Sequence, residues 1–357
     1  MGTLLVATGI AAGNGEGAAK PPRVDDVVCV ERCAGAREAA TGASVRLTGR
    51  RMASVAQVTF AGEASELAAA PRAVGNRVVE VAVPEGAVTG RPRALDSTGR
   101  GAAAPRLSIV PADALPPPGS FALDSGSASP TKAFFDARRQ VRLRYRFGGY
   151  GPLDVRVTLV RHKKVVHSWT EEDRAPFARH ALTWNGLTDR GAATHPGRYR
   201  FRVGPAGGEA RSAARFRFYD HLFPVRGAHG WGDRFGVPRS GGRTHEGQDV
   251  WAGCGTRLEA ARGGSVQFKG YSGSLYGHYL VIDGRQTDTD YMYSHLIHPP
   301  TVKEGRVRTG EGIGGVGRSG NARGESCQLH FEMWPHGWHH GSPRDPLGEM
   351  RRWDRWS

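Results

Sequence analysis

Short runs in which apolar and polar residues alternate recur along most of this chain, with the period of a strand that buries one face. Ser44-Val45-Arg46-Leu47-Thr48-Gly49 and Val55 to Gly62 are of this kind, and Val78 to Pro84 and Leu107-Ser108-Ile109-Val110 follow. Farther on, Val141, Leu143, Tyr145 and Phe147 alternate with Arg142, Arg144 and Arg146. Tyr199, Phe201 and Val203 alternate with Arg198, Arg200 and Arg202, and Phe216 and Phe218 with Arg215 and Arg217. Glycine and proline punctuate these runs, so short strands in small β-sandwiches are predicted. Past Phe223 three more strands are expected: Tyr279 to Asp283, Tyr291 to Leu296 and Gln328 to Met333. No apolar run is long enough to span a membrane.

Composition agrees with this pattern. The 357 residues include 51 glycines and 22 prolines, with 8% aromatics, which excludes a helix bundle and predicts an all-β chain of two or three domains. The expected divisions are a signal or disordered segment at 1–21, a β-sandwich at 22–111, a Pro-rich linker at 112–121, a basic β-sandwich at 122–219 and a third domain at 220–357. Of the net charge of +15, most belongs to the middle: residues 122–219 carry 19 basic and 8 acidic groups. An outer face bearing Arg142, Arg144, Arg146, Arg198, Arg200 and Arg202 is a candidate docking surface for anionic wall polymers. The alternative is an ordinary solvated face whose strands are not neighbours, since like charges opposite one another across strands are destabilising. Nucleic acid is not the expected partner, because no recognition helix or aromatic stacking strand accompanies the charge.

Leu4 to Ala12 reads as the apolar core of a secretory signal, with Ala18-Ala19 near a cleavage point, although no basic stretch precedes it. The expected location is therefore secreted or in the cell envelope. In that setting the four cysteines are expected to pair as Cys29–Cys33 and Cys254–Cys327; four buried thiols are the alternative.

Ten of the fourteen histidines follow residue 220, and two of them sit in suggestive surroundings. His245-Glu246-Gly247-Gln248-Asp249 offers a histidine and a carboxylate four residues apart. Donors on one zinc must approach within roughly 3–3.5 Å of each other, whereas an extended strand separates residues four apart by about 13 Å. A bend at Glu246-Gly247-Gln248 is therefore required, permitted by Gly247, with His245 ending a loop and Asp249 beginning a strand. In Gln328-Leu329-His330-Phe331-Glu332-Met333 the alternation puts Gln328, His330 and Glu332 on one face. In Tyr291-Met292-Tyr293-Ser294-His295 it puts Tyr291, Tyr293 and His295 together, which makes His295 a candidate acid/base or oxyanion stabiliser.

With their flanks, these residues resemble a known family. "GGRTHEGQDVWAGCGTRLEAARGGSV", "YGHYLVI", "DYMYSHL", "VRTGEGIGGVGRSGNARGE" and "CQLHFEMW" follow in order the motifs of the lysostaphin/LytM-like zinc endopeptidases, over roughly Phe223 to Leu347. The resemblance implies an antiparallel β catalytic domain and a Zn²⁺ cofactor held by His245, Asp249 and His330. It implies hydrolysis of peptide bonds in bacterial peptidoglycan by a zinc-bound water, with His295 as one of two catalytic histidines. The other histidine of the family's His-x-His motif is replaced here by Gln328, which can hydrogen-bond but cannot accept the proton; losing a general base costs about 10²–10⁴ in rate. Glu246 and Glu332 carry bases nearby, and Glu332 is equally suited to brace His330. A Cys254–Cys327 bridge would tie the two ligand-bearing strands together. His278 falls where the family often has asparagine, and His336, His339 and His340 fit a groove-wall loop better than a second metal site. Upstream, "VRLTGRRMASVAQVTFAG" resembles immunoglobulin-like IPT/TIG modules. "LTWNGLTDRGAATHPGRYRFRV" resembles the Trp-Asn-Gly hairpin of Ig-like modules in flagellar hook-capping and bacterial surface proteins.

Two functions follow. The first is a secreted zinc metalloendopeptidase acting on peptidoglycan; the second is a catalytically weakened, zinc-binding wall-binding or regulatory module. The three retained ligands favour the enzyme, and Gln328 favours the binder. A purely structural adhesin would leave the ligand set unexplained.

Overall fold

The computed structural model describes residues 20–357; the proposed signal segment lies outside the described residues. Strands dominate, as the alternation predicts, and the α-helix Leu347–Asp354 closes the chain. Among the described residues no helix is long and apolar enough to cross a membrane.

The chain clusters into two compact units. The first holds two sheets, antiparallel except where the short strand Ser108–Ile109 pairs in parallel with Glu38–Arg50. One is ordered Arg23–Gly35, Glu38–Arg50, Val78–Ala82, Pro71–Val74, and the other Glu66–Ala69, Gln57–Ala61, Arg93–Leu95, Gly101–Ala103. Val27, Val45, Leu47, Val79 and Val81 from the first sheet share a core with Val58, Phe60 and Ala94 from the second. Cys29 and Cys33 are disulfide-bonded within the first strand.

The second unit contains the basic module and the C-terminal domain. In the basic module a three-stranded sheet (Ala122–Ser129, Val141–Gly148, His180–Trp184) faces a five-stranded one (Lys132–Phe134, Arg211–Tyr219, Gly197–Pro205, Leu153–Arg161, Lys164–Arg174). Trp184 joins them by packing its ring on Tyr199, Phe216 and Phe218. The arginines therefore do not make one face: Arg142, Arg144 and Arg146 belong to one sheet, and Arg198, Arg200 and Arg202 to the other. The alternation located each outward arginine but carried no information about which strands share a sheet. Arg198 does stand opposite Arg217, and Arg200 opposite Arg215, and among the described residues none of these four makes an ion pair.

The C-terminal domain is built on a seven-stranded antiparallel sheet ordered His229–Trp231, Gln248–Ala252, Gln328–Pro335, Thr289–Leu296, Gly277–Gly284, Gly264–Ser272, Gly305–Val307. Leu329, Phe331 and Met333 enter its core beside Val250, Tyr291, Tyr293 and Leu296. The opposite face of the three central strands carries the candidate site. Asp136 of the basic module accepts hydrogen bonds from Arg285 (2.7 Å) and Arg306 of this domain, and the Arg262 guanidinium lies 4.6 Å over the Phe135 ring.

Candidate metal centre

Asp249 is the second residue of the Gln248–Ala252 strand and His245 precedes that strand, with the chain bending at Gly247. Asp249 pairs directly with His330 of the neighbouring strand. The required bend is therefore present, but the reason for glycine differs from the expectation. Gly247 is not among the left-handed residues; a Cβ there would lie 2.5 Å from the Phe331 carbonyl oxygen and 2.9 Å from the His330 ring.

Three donor atoms converge in this space. His245 Nε2 lies 3.1 Å from Asp249 Oδ1 and 2.8 Å from His330 Nδ1, and His330 Nδ1 lies 2.9 Å from Asp249 Oδ1. All three residues are buried, and theirs is the only group of this kind among the described residues. Each imidazole is fixed from behind: His245 Nδ1–H donates to the Arg234 carbonyl (2.8 Å), and His330 Nε2–H donates to Glu332 Oε1 (2.7 Å). Trp334 Nε1–H holds the other Glu332 oxygen at 2.6 Å. Arg239 reaches Asp249 Oδ2 at 3.4 Å and Asp233 at 2.6 Å.

The donor set fits zinc. Ligands about 2 Å from the ion stand roughly 3.3 Å apart in a tetrahedron, so the observed spacings need to open by only a few tenths of an ångström. Histidine ligands whose second nitrogen donates to a carboxylate or carbonyl are the usual arrangement. The electrostatics point the same way. Burial disfavours a charged His330, but Asp249 and Glu332 outweigh it and raise the ring to about 10. Burial likewise opposes ionisation of Asp249 and Glu332, yet hydrogen bonds from the histidines hold both carboxyls below their ordinary values. A cation is favoured at this point.

His295 reaches the site by an irregularity that alternation cannot show. Tyr291 and Tyr293 lie in the core, and their face would have carried His295 with them. Instead His295 adopts a left-handed backbone, φ 61°, where the pairing with Gly277–Gly284 shifts register. Leu296 takes the core position, and the His295 ring centroid stands 5.8 Å from that of His330. A bulge re-aims a side chain in this way. Its Nδ1–H donates to the Ser319 carbonyl at 2.9 Å. Gln328 is buried at the start of the His330 strand, its backbone N–H donating to Gly317 (2.8 Å). Cys254 and Cys327 are bonded, five residues past Asp249 and three before His330. A bridge closing a loop across a separation of 73 residues contributes about 4 kcal/mol by the chain-entropy argument.

The structure sorts the remaining candidates. Both Glu332 oxygens are engaged, so it braces His330. Glu246 is half-buried, and burial and Glu332 raise its pKa. His278 packs its ring on Tyr271 (4.7 Å), and His339 packs on Trp338 (4.2 Å) and Trp334 (5.1 Å). Arg234, Arg239 and Ser319 were not singled out from the sequence. Two of them act through backbone carbonyls and leave no side-chain signal. Trp334 continues the alternation Gln328, His330, Glu332 and was legible in principle.

Residues 243–346 match the family model described as peptidase family M23. The chain is 38% identical over 90 residues to the DD-carboxypeptidase/endopeptidase Mpg of Neisseria meningitidis serogroup B, covering 25% of this chain and 20% of that protein. It is 27% identical over 160 residues to the L-Ala–D-Glu endopeptidase of Bacillus subtilis, covering 40% and 48% respectively. The chain thus spans less than half the length of either relative. It is also similar to the solved catalytic domain of the antimicrobial peptidase lysostaphin from Staphylococcus simulans, with 25% identity over 34% of this chain and 92% of that one, at a TM-score of 0.32.

Proposed function

We propose that this chain, which carries a peptidase family M23 domain over residues 243–346, is a secreted zinc metalloendopeptidase that hydrolyses peptide bonds in bacterial peptidoglycan. The observation that carries this reading is the convergence of His245 Nε2, Asp249 Oδ1 and His330 Nδ1 within 3.1 Å of one another. The relatives named as a DD-carboxypeptidase/endopeptidase and an L-Ala–D-Glu endopeptidase support a peptide substrate containing D-amino acids.

Zinc held by these three residues would supply Lewis acidity toward water and a peptide carbonyl. The chain's own groups do the rest. Glu332 and the Arg234 carbonyl lock the two ligand rings in the tautomers that face the centre. His295 donates from Nδ1, which leaves Nε2 free. In the metal-free chain burial and the neighbouring His330 push its pKa down to about 4, so at neutral pH the ring is uncharged and Nε2 is an acceptor, though a weak base. Gln328, on the face of His330, has a carboxamide that can donate to a developing oxyanion but takes up no proton. With Glu332 engaged, His295 and the half-buried Glu246 remain as proton acceptors, and a slow enzyme is the consequence of a weak base.

In the basic module, Arg198, Arg200 and Arg202 share the five-stranded sheet, where Arg198 stands opposite Arg217 and Arg200 opposite Arg215. Unneutralised like charges in cross-strand register favour an anionic partner, and an anionic wall polymer supplies one.

The test is digestion of purified cross-linked walls by the full-length protein, followed by chromatography of the released fragments. Release that chelation stops, zinc restores and H330A lacks supports the reading; walls left intact by the zinc-loaded protein refute it.

A further inference from the structure

An open cavity of about 390 Å³ is lined by Tyr271, His278, Ile297, Arg318, Ser319 and Arg323. Its volume suits one or two amino-acid residues, since drug-sized ligands fill sites of about 300–1,000 Å³. Two of its six lining residues carry guanidinium groups, and both are exposed. Arg323 spends one donor on the Tyr271 hydroxyl (3.2 Å), and Arg318 spends one on the Glu325 carbonyl (3.4 Å). Among the described residues neither makes an ion pair, so most of the five N–H donors of each fork remain open. Tyr271 and Ile297, 51% and 39% exposed, add an apolar side.

The cavity is tied to the reaction centre by one residue. Ser319 lines it, and the Ser319 carbonyl receives the Nδ1–H of His295. The Ser319 hydroxyl donates to the Leu296 carbonyl (2.7 Å) and accepts from the His278 backbone N–H (2.9 Å). These bonds fix the wall that the cavity and His295 share. A ligand seated in the cavity therefore touches the residue whose carbonyl orients His295.

We infer that this cavity is a specificity subsite for a free carboxylate on a short aliphatic stem, carried by the peptide substrate on the His295 side of the scissile bond. This assignment rests on the proposed peptidase function for the identity of the peptide. Planar forks match a carboxylate by paired N–H donors, and a carboxamide fits them poorly because it presents one acceptor and a repelling NH₂. The phenol and the isoleucine side chain cover the aliphatic stem. The subsite would thus distinguish wall peptides whose side carboxylates are free from those in which they are amidated.

Binding is measured by calorimetry with the full-length protein and two synthetic stem tetrapeptides, one with its carboxylates free and one with them amidated. The free acid should bind about tenfold more tightly, as two partly exposed charged pairs allow. In R318Q/R323Q the gap should close, with affinity for the amide unchanged. Equal affinities in the unmodified protein, or binding of neither peptide, overturn the assignment whatever the variant does. A gap that survives in a folded R318Q/R323Q protein also overturns it, because a carboxylate on the metal would produce that result. Wall hydrolysis is scored separately. Hydrolysis without a gap removes the subsite and leaves the peptidase; a gap without hydrolysis does the reverse.

Discussion

Gly247 and His330 are so close that the first can carry no side chain: a Cβ on Gly247 would stand 2.9 Å from both Cε1 and Nε2 of the His330 ring. The Phe331 carbonyl oxygen, 2.5 Å from the same point, is backbone and cannot rotate away. G247A should therefore displace the ring or the strand, at about 1–3 kcal/mol. It should also weaken zinc binding by at least about tenfold, read by competition with a chromophoric chelator. A variant with unchanged zinc affinity would show that the bend tolerates a side chain.

Glu332 holds His330 from the far side of the ring, and the account predicts that its charge matters. E332Q keeps the shape but replaces a carboxylate with a neutral acceptor. Zinc affinity should fall about 10- to 100-fold, while the thermal midpoint of the zinc-loaded protein moves little. An affinity equal to that of the unmodified protein would leave Glu332 with a packing role alone.

The pH dependence has a definite sign. In the metal-free protein the His330 pKa is raised from 6.5 to about 10. A proton held more tightly in the folded chain stabilises it fully below the unfolded pKa, and that contribution is lost as pH climbs through the folded one. The chelated protein should therefore melt progressively lower between about pH 6.5 and 10. Zinc must displace the same proton, so its apparent affinity should rise by close to tenfold per unit between about pH 7 and 9. Melting curves and zinc titrations across this range check both trends, and a flat zinc affinity contradicts the second.

The arginine face of the basic module predicts a salt-sensitive interaction. Full-length protein should bind a soluble polyphosphate chain at low ionic strength and lose it as salt approaches about 0.5 M. R198Q/R200Q/R215Q/R217Q should bind several-fold more weakly, whereas R142Q/R144Q/R146Q, on the other sheet, should change affinity less. Equal losses in the two variants would mean that net charge, not this face, drives binding.

How much of this was legible in the sequence differs from residue to residue. The strand carrying His330 was readable because Leu329, Phe331 and Met333 alternate with Gln328, His330 and Glu332, and a one-face core demands that period. The bend between His245 and Asp249 followed from the reach of a zinc ion. The orientation of His295 was not readable: alternation put it with Tyr291 and Tyr293, whereas its left-handed backbone and the shifted pairing with Gly277–Gly284 turn it to the opposite face. Such a bulge is set by packing against Ser319, 24 residues away in the chain. The Arg239 contact with Asp249 and the separation of the arginine strands into two sheets depend on tertiary pairing, which a period of two does not encode.

The central claim is that His245, Asp249 and His330 hold a zinc ion that makes this chain a peptidase despite Gln328. The most direct measurement is the rate at which the zinc-loaded, full-length protein generates new amino termini from cross-linked peptidoglycan, compared with H330A and Q328H. The account predicts slow, zinc-dependent release that H330A abolishes and Q328H accelerates by about tenfold or more. No new amino termini from either the unmodified protein or Q328H, with one equivalent of zinc bound, would contradict it.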